Sequence, residues 1–270
     1  MHFEEWASKN LKDRYFSLIE RLKGKEEIAN KCTIPFVPYV GPSYSHAKHK
    51  ILIIGKATYG WGKGNEGQGS GALNDVLDKD DHDLWKYLVG LSEEFIEGEV
   101  IPYYGGEKRG PARAFWRRIY QLSGKLLMDH AVADYKRERR RSEECFESIA
   151  WSNVFKVGAL KSEGGNPKKL RDIQKEENKK EGNAFEEEIT ELRPDVAIFS
   201  TSRAYDEHIE DLLPNTSMED VGPEHLKIKE IEGLDTLAFR TYHFQYYSNE
   251  KFEQVVDYIC GRMNGPVTEG

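Results

Sequence analysis

The run "ILIIG" at residues 51–55 most strongly constrains the fold of this chain. Consecutive aliphatic residues without a polar break suit a strand that is covered on both faces, as the strands of a parallel sheet are. Further apolar runs follow in "SIAWSNVFKVG", "DVAIFS" and "TLAFRTYH", and helical patterns separate at least three of the runs. We therefore predict an α/β class, a three-layer doubly wound fold with a central, mostly parallel, four-stranded sheet.

The length and composition predict a single domain. A chain of 270 residues with 38% hydrophobic residues can bury one substantial core, so we assign residues 1–270 to one domain. Residues 11–22 place their apolar side chains on one helical stripe, and we include them in an N-terminal helical extension over residues 1–47. Residues 161–183 are polar and contain glycine, which predicts a long, mobile, polar excursion.

Several classes of protein are excluded by the sequence pattern. No apolar run approaches the roughly 20 residues needed to span a bilayer, and the N-terminus lacks the order of a secretory signal. We therefore expect a cytoplasmic protein with no membrane partner. Cys32, Cys145 and Cys260 lie far apart without a C-x-x-C motif, which excludes a disulfide framework and a four-cysteine cluster. We expect no metal and no cofactor.

The charge distribution limits the mode of nucleic-acid binding. A formal net charge of −8 argues against a general nucleic-acid coat, because such binding depends on phosphate neutralisation by Lys and Arg. Local basic segments occur at residues 107–118, 135–141 and 166–171. Each is either a local contact surface or a solvated helix face.

The glycine-rich segment after the first strand does not match a phosphate-binding motif in its context. Residues 62–67 spell G-x-G-x-x-G, but that motif requires its first glycine at the strand-to-helix turn. Here the motif begins seven residues after Gly55, and Trp61 stands where a P-loop needs lysine. The more distinctive segment is "GKATYGW", which combines backbone amides, a hydroxyl, two aromatic rings and one cation. This mixture favours a flat ligand with polar edges.

Asn153 is the second candidate ligand-binding residue. Strand alternation predicts that Ile149, Trp151, Asn153, Phe155 and Val157 share one face, so that an amide lies in an apolar row. A buried amide without partners costs roughly 1–3 kcal/mol. Either local backbone groups or a ligand satisfy it. Its one acceptor and two donors complement the edge of a pyrimidine.

His243 is the third candidate, because it follows the apolar run "TLAFRTY". In open α/β sheets, ligands bind at the carboxyl ends of the strands, where Gly55, Asn153 and His243 would meet. In order, spacing and context, "ILIIGKATYGWG", "WSNVFKVG", "RPDVAIFSTSRAYDEHI" and "RTYHF" resemble the motifs of the uracil-DNA glycosylase superfamily. The resemblance covers roughly residues 48–262.

This resemblance implies a fold, a reaction and a set of site residues. Members flip a base out of nucleic acid into a pocket and hydrolyse its N-glycosidic bond, and a histidine and backbone amides stabilise the departing base. The resemblance gives catalytic positions to His243, Lys56 and Thr58. The positions it implies for contact with the base are Gly55, Ala57, Tyr59, Trp61, Asn153 and Tyr104, with the neighbouring Tyr103 as the alternative to Tyr104.

The chain departs from the family pattern in the loop after the first strand. Members generally place an acidic or amide residue directly after the glycine or one further on, whereas this sequence has Lys56 and Ala57, and no carboxylate or amide from Gly55 to Gly64. Three functions therefore remain open. The protein excises a deaminated base from DNA, single-stranded or damaged; it binds a free nucleobase or nucleotide without catalysis; or it is an unrelated α/β enzyme that uses Lys56 and Lys63 on a phosphorylated small molecule.

Overall fold

The strands form one mixed sheet, which confirms the predicted α/β class. The computed structural model describes residues 7–57, 72–104, 114–129, 138–160, 167–179, 183–213, 218–222, 226–231 and 233–263. These residues form a seven-stranded sheet in the order β1-β3-β2-β4-β7-β6-β5. The strands are β1 Tyr39–Val40, β2 Ile51–Ala57, β3 Ile149–Phe155, β4 Val196–Ser200, β5 Glu219–Asp220, β6 Lys227–Ile231 and β7 Thr236–Thr241.

The strand pairing places the ends of four strands together. Strands β3, β2, β4 and β7 pair in parallel, whereas β1, β6 and β5 add antiparallel pairs at the two sides. The sheet is therefore larger than the predicted four strands. Strands β1 and β5 contain two residues each, too few for a sequence period to reveal. We call the side where β2, β3, β4 and β7 end the carboxyl edge.

Helices cover both faces of the sheet. The helices are α1 Lys9–Lys23, α2 Glu26–Ala29, α3 Asp81–Phe95, α4 Ile101–Tyr104, α5 Ala114–Met128, α6 Arg139–Glu147, α7 Pro167–Asn178, α8 Ala184–Leu192, α9 Asp206–Leu212 and α10 Asn249–Met263. Helices α5, α6 and α10 bury their apolar side chains against one face of the sheet, which we call the α5 face. Helices α8 and α9 pack on the opposite face. Helices α1, α3 and α7 share a further apolar cluster.

The segment predicted to be a mobile excursion contains helix α7. Leu170 and Ile173 are buried in the cluster with α1 and α3. The Gln174 amide accepts a hydrogen bond from Val157 N–H at 2.9 Å and donates one to the Val157 carbonyl at 3.0 Å. The polar composition of the segment did not predict these buried contacts. Only every third or fourth residue of the helix faces the core, and the residues between them are mostly charged.

The apolar row predicted around Asn153 is correct for the first part of β3 only. All seven residues of β3 are buried, and Ile149 and Trp151 lie in the cluster on the α5 face. Phe155 instead packs with the cluster on the opposite face, and Val157 joins α1, α3 and α7. Val154 and Phe155 both lie in the cluster on the opposite face, so the alternation of side chains is already broken at the last residue of β3.

Candidate functional site

Gly55 and Asn153 form the tightest approach at the carboxyl edge. The parallel pairing of β2 and β3 places these two residues side by side. A Cβ atom built on Gly55 would lie 2.4 Å from Asn153 Oδ1 and 3.7 Å from Trp151 Nε1. Glycine is therefore required at position 55, because any side chain would enter the space that the Asn153 amide occupies.

The Asn153 side chain keeps part of its hydrogen-bonding capacity unused. Asn153 is 2% exposed, and its Nδ2 finds no hydrogen-bond partner among the described residues. An unpaired buried donor costs roughly 1–3 kcal/mol. Of the two explanations that the sequence left open, satisfaction of the amide donor by described backbone groups is not observed. The arrangement therefore favours a ligand that accepts a hydrogen bond.

His243 lies at the same edge, directly after β7. Its ring stacks on Phe115 with a centroid distance of 5.2 Å and an interplanar angle of 26°, and it lies 5.8 Å from the Tyr246 ring. The next residue is fixed to β4, since Phe244 N–H donates to Ser200 Oγ at 2.9 Å. Within the described part of the chain, His243 Nδ1 is buried without a hydrogen-bond partner.

The surroundings of His243 keep its ring neutral. Burial lowers the pKa of His243, and the nearby positive charge of Lys56 lowers it further, to about 4. At neutral pH the imidazole therefore offers one N–H donor and one acceptor nitrogen. A neutral imidazole N–H can donate a hydrogen bond to a carbonyl oxygen, and it does so without a positive charge on the ring.

Lys56 extends from the end of β2 into an aromatic environment. Its Nζ lies 5.5 Å from the Tyr205 ring centroid and 5.7 Å from the Tyr246 ring centroid, distances at which a cation is attracted to an aromatic face. No carboxylate among the described residues forms an ion pair with Lys56. Burial lowers the pKa of this half-buried lysine, while Tyr246 acts in the opposite direction.

An aromatic wall connects Asn153 with His243 on the α5 face. Phe115, which stacks on His243, lies 5.2 Å from Trp116. Trp116 lies 4.7 Å from Trp151, two residues before Asn153 on β3. The Asn153 amide lies against Gly55 of β2. Strand β4 lies between β2 and β7, so β2 and β7 are separated by two strand spacings, ~10 Å.

The other predicted site residues lie at the end of β2, in the core, or outside the described residues. Ala57 ends β2 opposite Phe155, while Thr58, Tyr59, Trp61 and Lys63 lie outside the described residues. Tyr104 is 1% exposed and stacks on Tyr120 at 5.2 Å. This packing gives Tyr104 a place in the core, and Tyr103, which is half-buried, packs edge-on against it.

The sequence reasoning missed Tyr205 and Tyr246. Tyr205 follows β4 and Tyr246 follows β7, so both come shortly after a strand that ends at the carboxyl edge. Their signal in the sequence was this position alone. Nothing in the sequence spacing indicated that both rings would lie near the Lys56 amine.

One of the predicted basic segments contains a buried arginine. Arg118 is 2% exposed and donates hydrogen bonds to the Tyr247 carbonyl and Asn249 Oδ1, each at 2.9 Å. Burial, followed by the charge of Arg117, lowers its pKa to about 10. Arg118 therefore does not contact phosphate; it fixes the chain that follows His243.

The basic segment at residues 135–141 also makes local contacts. Arg139 pairs with Glu143 at 2.7 Å, and Arg140 pairs with Glu144 at 2.9 Å. Each pair joins residues four apart on α6, so these charges interact along their own helix. Arg139 and Arg140 match the interpretation of this segment as a solvated helix face, whereas Arg141 is buried and lies over the Tyr120 ring at 5.5 Å.

A surface depression of about 570 Å³ lies away from the carboxyl edge. It is lined by Arg193, Glu230, Ile231, Gly233, Leu234 and Asp235. Arg193 precedes β4, Glu230 and Ile231 end β6, and the other three residues lie between β6 and β7. None of the predicted site residues lines the depression. The chemistry-bearing groups and this depression therefore belong to different parts of the sheet.

The described residues show neither a metal site nor a membrane-spanning helix. No group of His, Cys, Asp or Glu in the described residues could hold a metal ion. No helix within those residues is long and apolar enough to cross a membrane.

No protein-family model matches the sequence, and no curated protein matches it. The functional interpretation therefore depends on the site residues themselves.

The electrostatic coupling between Lys56 and His243 gives a direct prediction. Substitution of Lys56 by methionine is expected to raise the pKa of His243 from about 4, because it removes a nearby positive charge. The pKa should remain below the ordinary value of about 6.5, since burial is the larger cause. NMR titration of the His243 ring would measure this change, and an unchanged or lower pKa in the variant would contradict the coupling.

Proposed function

We propose that the carboxyl edge binds a nucleobase, carried by DNA or by a free nucleoside or nucleotide, as in the uracil-DNA glycosylase superfamily. The observation that carries the proposal is the Asn153 amide, which is buried against Gly55 and whose Nδ2 donor has no partner among the described residues. An amide held in this way reads a heterocycle edge, because it offers a donor and an acceptor side by side.

His243 supports this proposal through its charge state and position. A base contains carbonyl oxygens that accept hydrogen bonds, and the neutral His243 ring supplies a donor at the same edge. Cleavage of an N-glycosidic bond develops negative charge on the departing base, which such a donor stabilises. Excision of a deaminated base from DNA is thus the reaction for which these groups are suited.

Lys56 and its neighbours in the sequence favour binding without excision as the second candidate function. No carboxylate or amide occurs from Gly55 to Gly64 to orient a water molecule. The Lys56 cation would also oppose the positive charge that develops on the sugar, since like charges near each other raise the energy. A non-catalytic nucleobase-binding module would need neither a carboxylate nor an amide to orient a water molecule.

Substitution of Asn153 by leucine provides a sharp test of the proposed site. Leucine has nearly the same shape and removes an unpaired buried donor, so the variant is expected to be at least as stable as the wild type. Binding of a nucleobase should weaken by about tenfold or more, since each lost hydrogen bond is worth about 1 kcal/mol or more. Unfolding in denaturant and titration with nucleosides and single-stranded oligonucleotides would measure both effects.

The ligands for this test are uracil, hypoxanthine and xanthine, free and within single- and double-stranded DNA. A ligand at about 100 times its dissociation constant stabilises the protein by roughly 2.7 kcal/mol. Strand scission by alkali after incubation reports base excision. Stabilisation with scission supports a glycosylase, and stabilisation without scission supports a binding module. No stabilisation by any ligand, or equal binding by the Asn153→Leu variant, would contradict the proposal.

A further inference from the structure

The amine of Lys56 is placed unusually for a surface lysine. Its Nζ lies near the rings of both Tyr205 and Tyr246, and it forms no ion pair with a carboxylate in the described part of the chain. Tyr246 is 67% exposed, so this end of the aromatic pair is open to solvent. The amine is thus partly desolvated and is also accessible to a molecule that reaches the carboxyl edge.

We propose that Lys56 forms an imine with an aldehyde, namely the ring-opened sugar of an abasic site in DNA. This inference rests on the proposed function, because excision of a base bound near Asn153 would leave an abasic sugar at the same edge. The amine nitrogen adds to the C1′ carbon, and the carbonyl oxygen takes up a proton. Loss of water from the resulting carbinolamine leaves the C=N bond, so one amine and one aldehyde give one imine and one water.

The neighbours of Lys56 suit this chemistry better than they suit phosphate binding. A lysine becomes a nucleophile when desolvation favours its neutral form, and burial lowers the pKa of Lys56. His243 is neutral, and the charge of Lys56 contributes to the lowering of its pKa, so the ring can form a hydrogen bond with the hydroxyl group of the carbinolamine. Asp206, the residue after Tyr205, pairs with Arg240 at 2.7 Å and with Lys227 at 3.2 Å, so these two cations are already held by a carboxylate.

Trapping with borohydride tests the inference directly. The protein is incubated with an oligonucleotide that carries a preformed abasic site, and sodium borohydride then reduces any imine to a stable amine. A matched oligonucleotide with tetrahydrofuran at that position lacks the aldehyde. We expect a covalent adduct on a denaturing gel with the first oligonucleotide and none with the second, and peptide mass mapping should place the link on Lys56.

Variants of two lysines give the matched comparison. Lys56→Met and Lys56→Arg are each expected to lower the adduct yield by about tenfold or more. The arginine variant keeps the positive charge and the attraction to the aromatic rings, so its loss of adduct would identify the amine as the nucleophile. Lys79→Met is the control, because Lys79 Nζ also lies over a tyrosine ring, at 5.4 Å from Tyr87. This variant should retain the wild-type yield.

The outcomes separate this inference from the proposed function. Absence of an adduct with the wild type, or an undiminished adduct in the folded Lys56→Arg variant, would overturn the imine proposal. Because the abasic site is formed beforehand, trapping does not require base excision. If Asn153→Leu loses nucleobase binding but is trapped normally, the base site and the imine at Lys56 are each supported. If the wild type is trapped but binds no nucleobase, the imine at Lys56 is supported and the base site is contradicted.

Discussion

Substitution of Glu188 by alanine is expected to lower the free energy of unfolding by about 3–5 kcal/mol, because it leaves Lys156 charged and buried without its partner. Lys156 is 4% exposed and Glu188 is fully buried. The lysine Nζ lies 2.6 Å from Glu188 Oε1 and donates to Ser152 Oγ at 2.7 Å. Ser152 Oγ in turn donates to Glu188 Oε2 at 2.6 Å, and the Tyr15 hydroxyl donates to Oε1.

A matched set of variants distinguishes the buried pair from ordinary surface charge. Glu143→Ala removes the partner of the exposed Arg139 and should change stability by no more than about 0.5 kcal/mol. The double variant Lys156→Met with Glu188→Leu should be more stable than either single variant, since no charge is then stranded in the core. Denaturant unfolding measures each value. A loss below about 1 kcal/mol for Glu188→Ala would contradict the expected burial cost.

Substitution of Gly55 by alanine is expected to cost about 1–3 kcal/mol of stability and to weaken nucleobase binding by about tenfold or more. The added methyl group would lie 2.4 Å from Asn153 Oδ1, so the amide must leave the position that we propose for contact with the ligand. Denaturant unfolding and nucleoside titration measure the two effects.

Gly90→Ala is the matched control for the Gly55 variant. Gly90 lies inside α3, and a Cβ built there meets no atom within 4 Å. Alanine at that position is expected to stabilise the protein by roughly 0.5–1 kcal/mol, because glycine is a poor helix former. Ligand binding should be unchanged. Unweakened binding in Gly55→Ala would show that the Asn153 amide does not act as the base reader.

The central part of the fold could be predicted from the sequence because long apolar runs constrain a strand from both faces. The run at residues 51–55 and the run "DVAIFS" both form buried parallel strands. The two-residue strands β1 and β5 could not be found this way. Strand β5 has only the exposed residues Glu219 and Asp220, and such a pair contains no period that distinguishes it from a turn.

The candidate site could be predicted only where a polar residue interrupted an apolar pattern. Asn153 stood out for that reason and His243 because it directly follows an apolar run, and both lie at the carboxyl edge. Lys156 was not recognised, because a lysine near a strand end reads as solvated until its partner on a distant helix is known. Its link to Glu188 and Tyr15 joins β3, α8 and α1, so the N-terminal helix packs as part of the core and is not a detached extension.

Helix α5 holds His243 from two sides. Phe115 stacks on the His243 ring, and Arg118, one turn further along, hydrogen-bonds the chain at Tyr247 and Asn249. A side chain that must be immobilised during binding typically costs about 0.5–1.5 kcal/mol. At His243 this ordering is complete when the protein folds, so the imidazole is preorganised and a ligand meets a donor that is already in place.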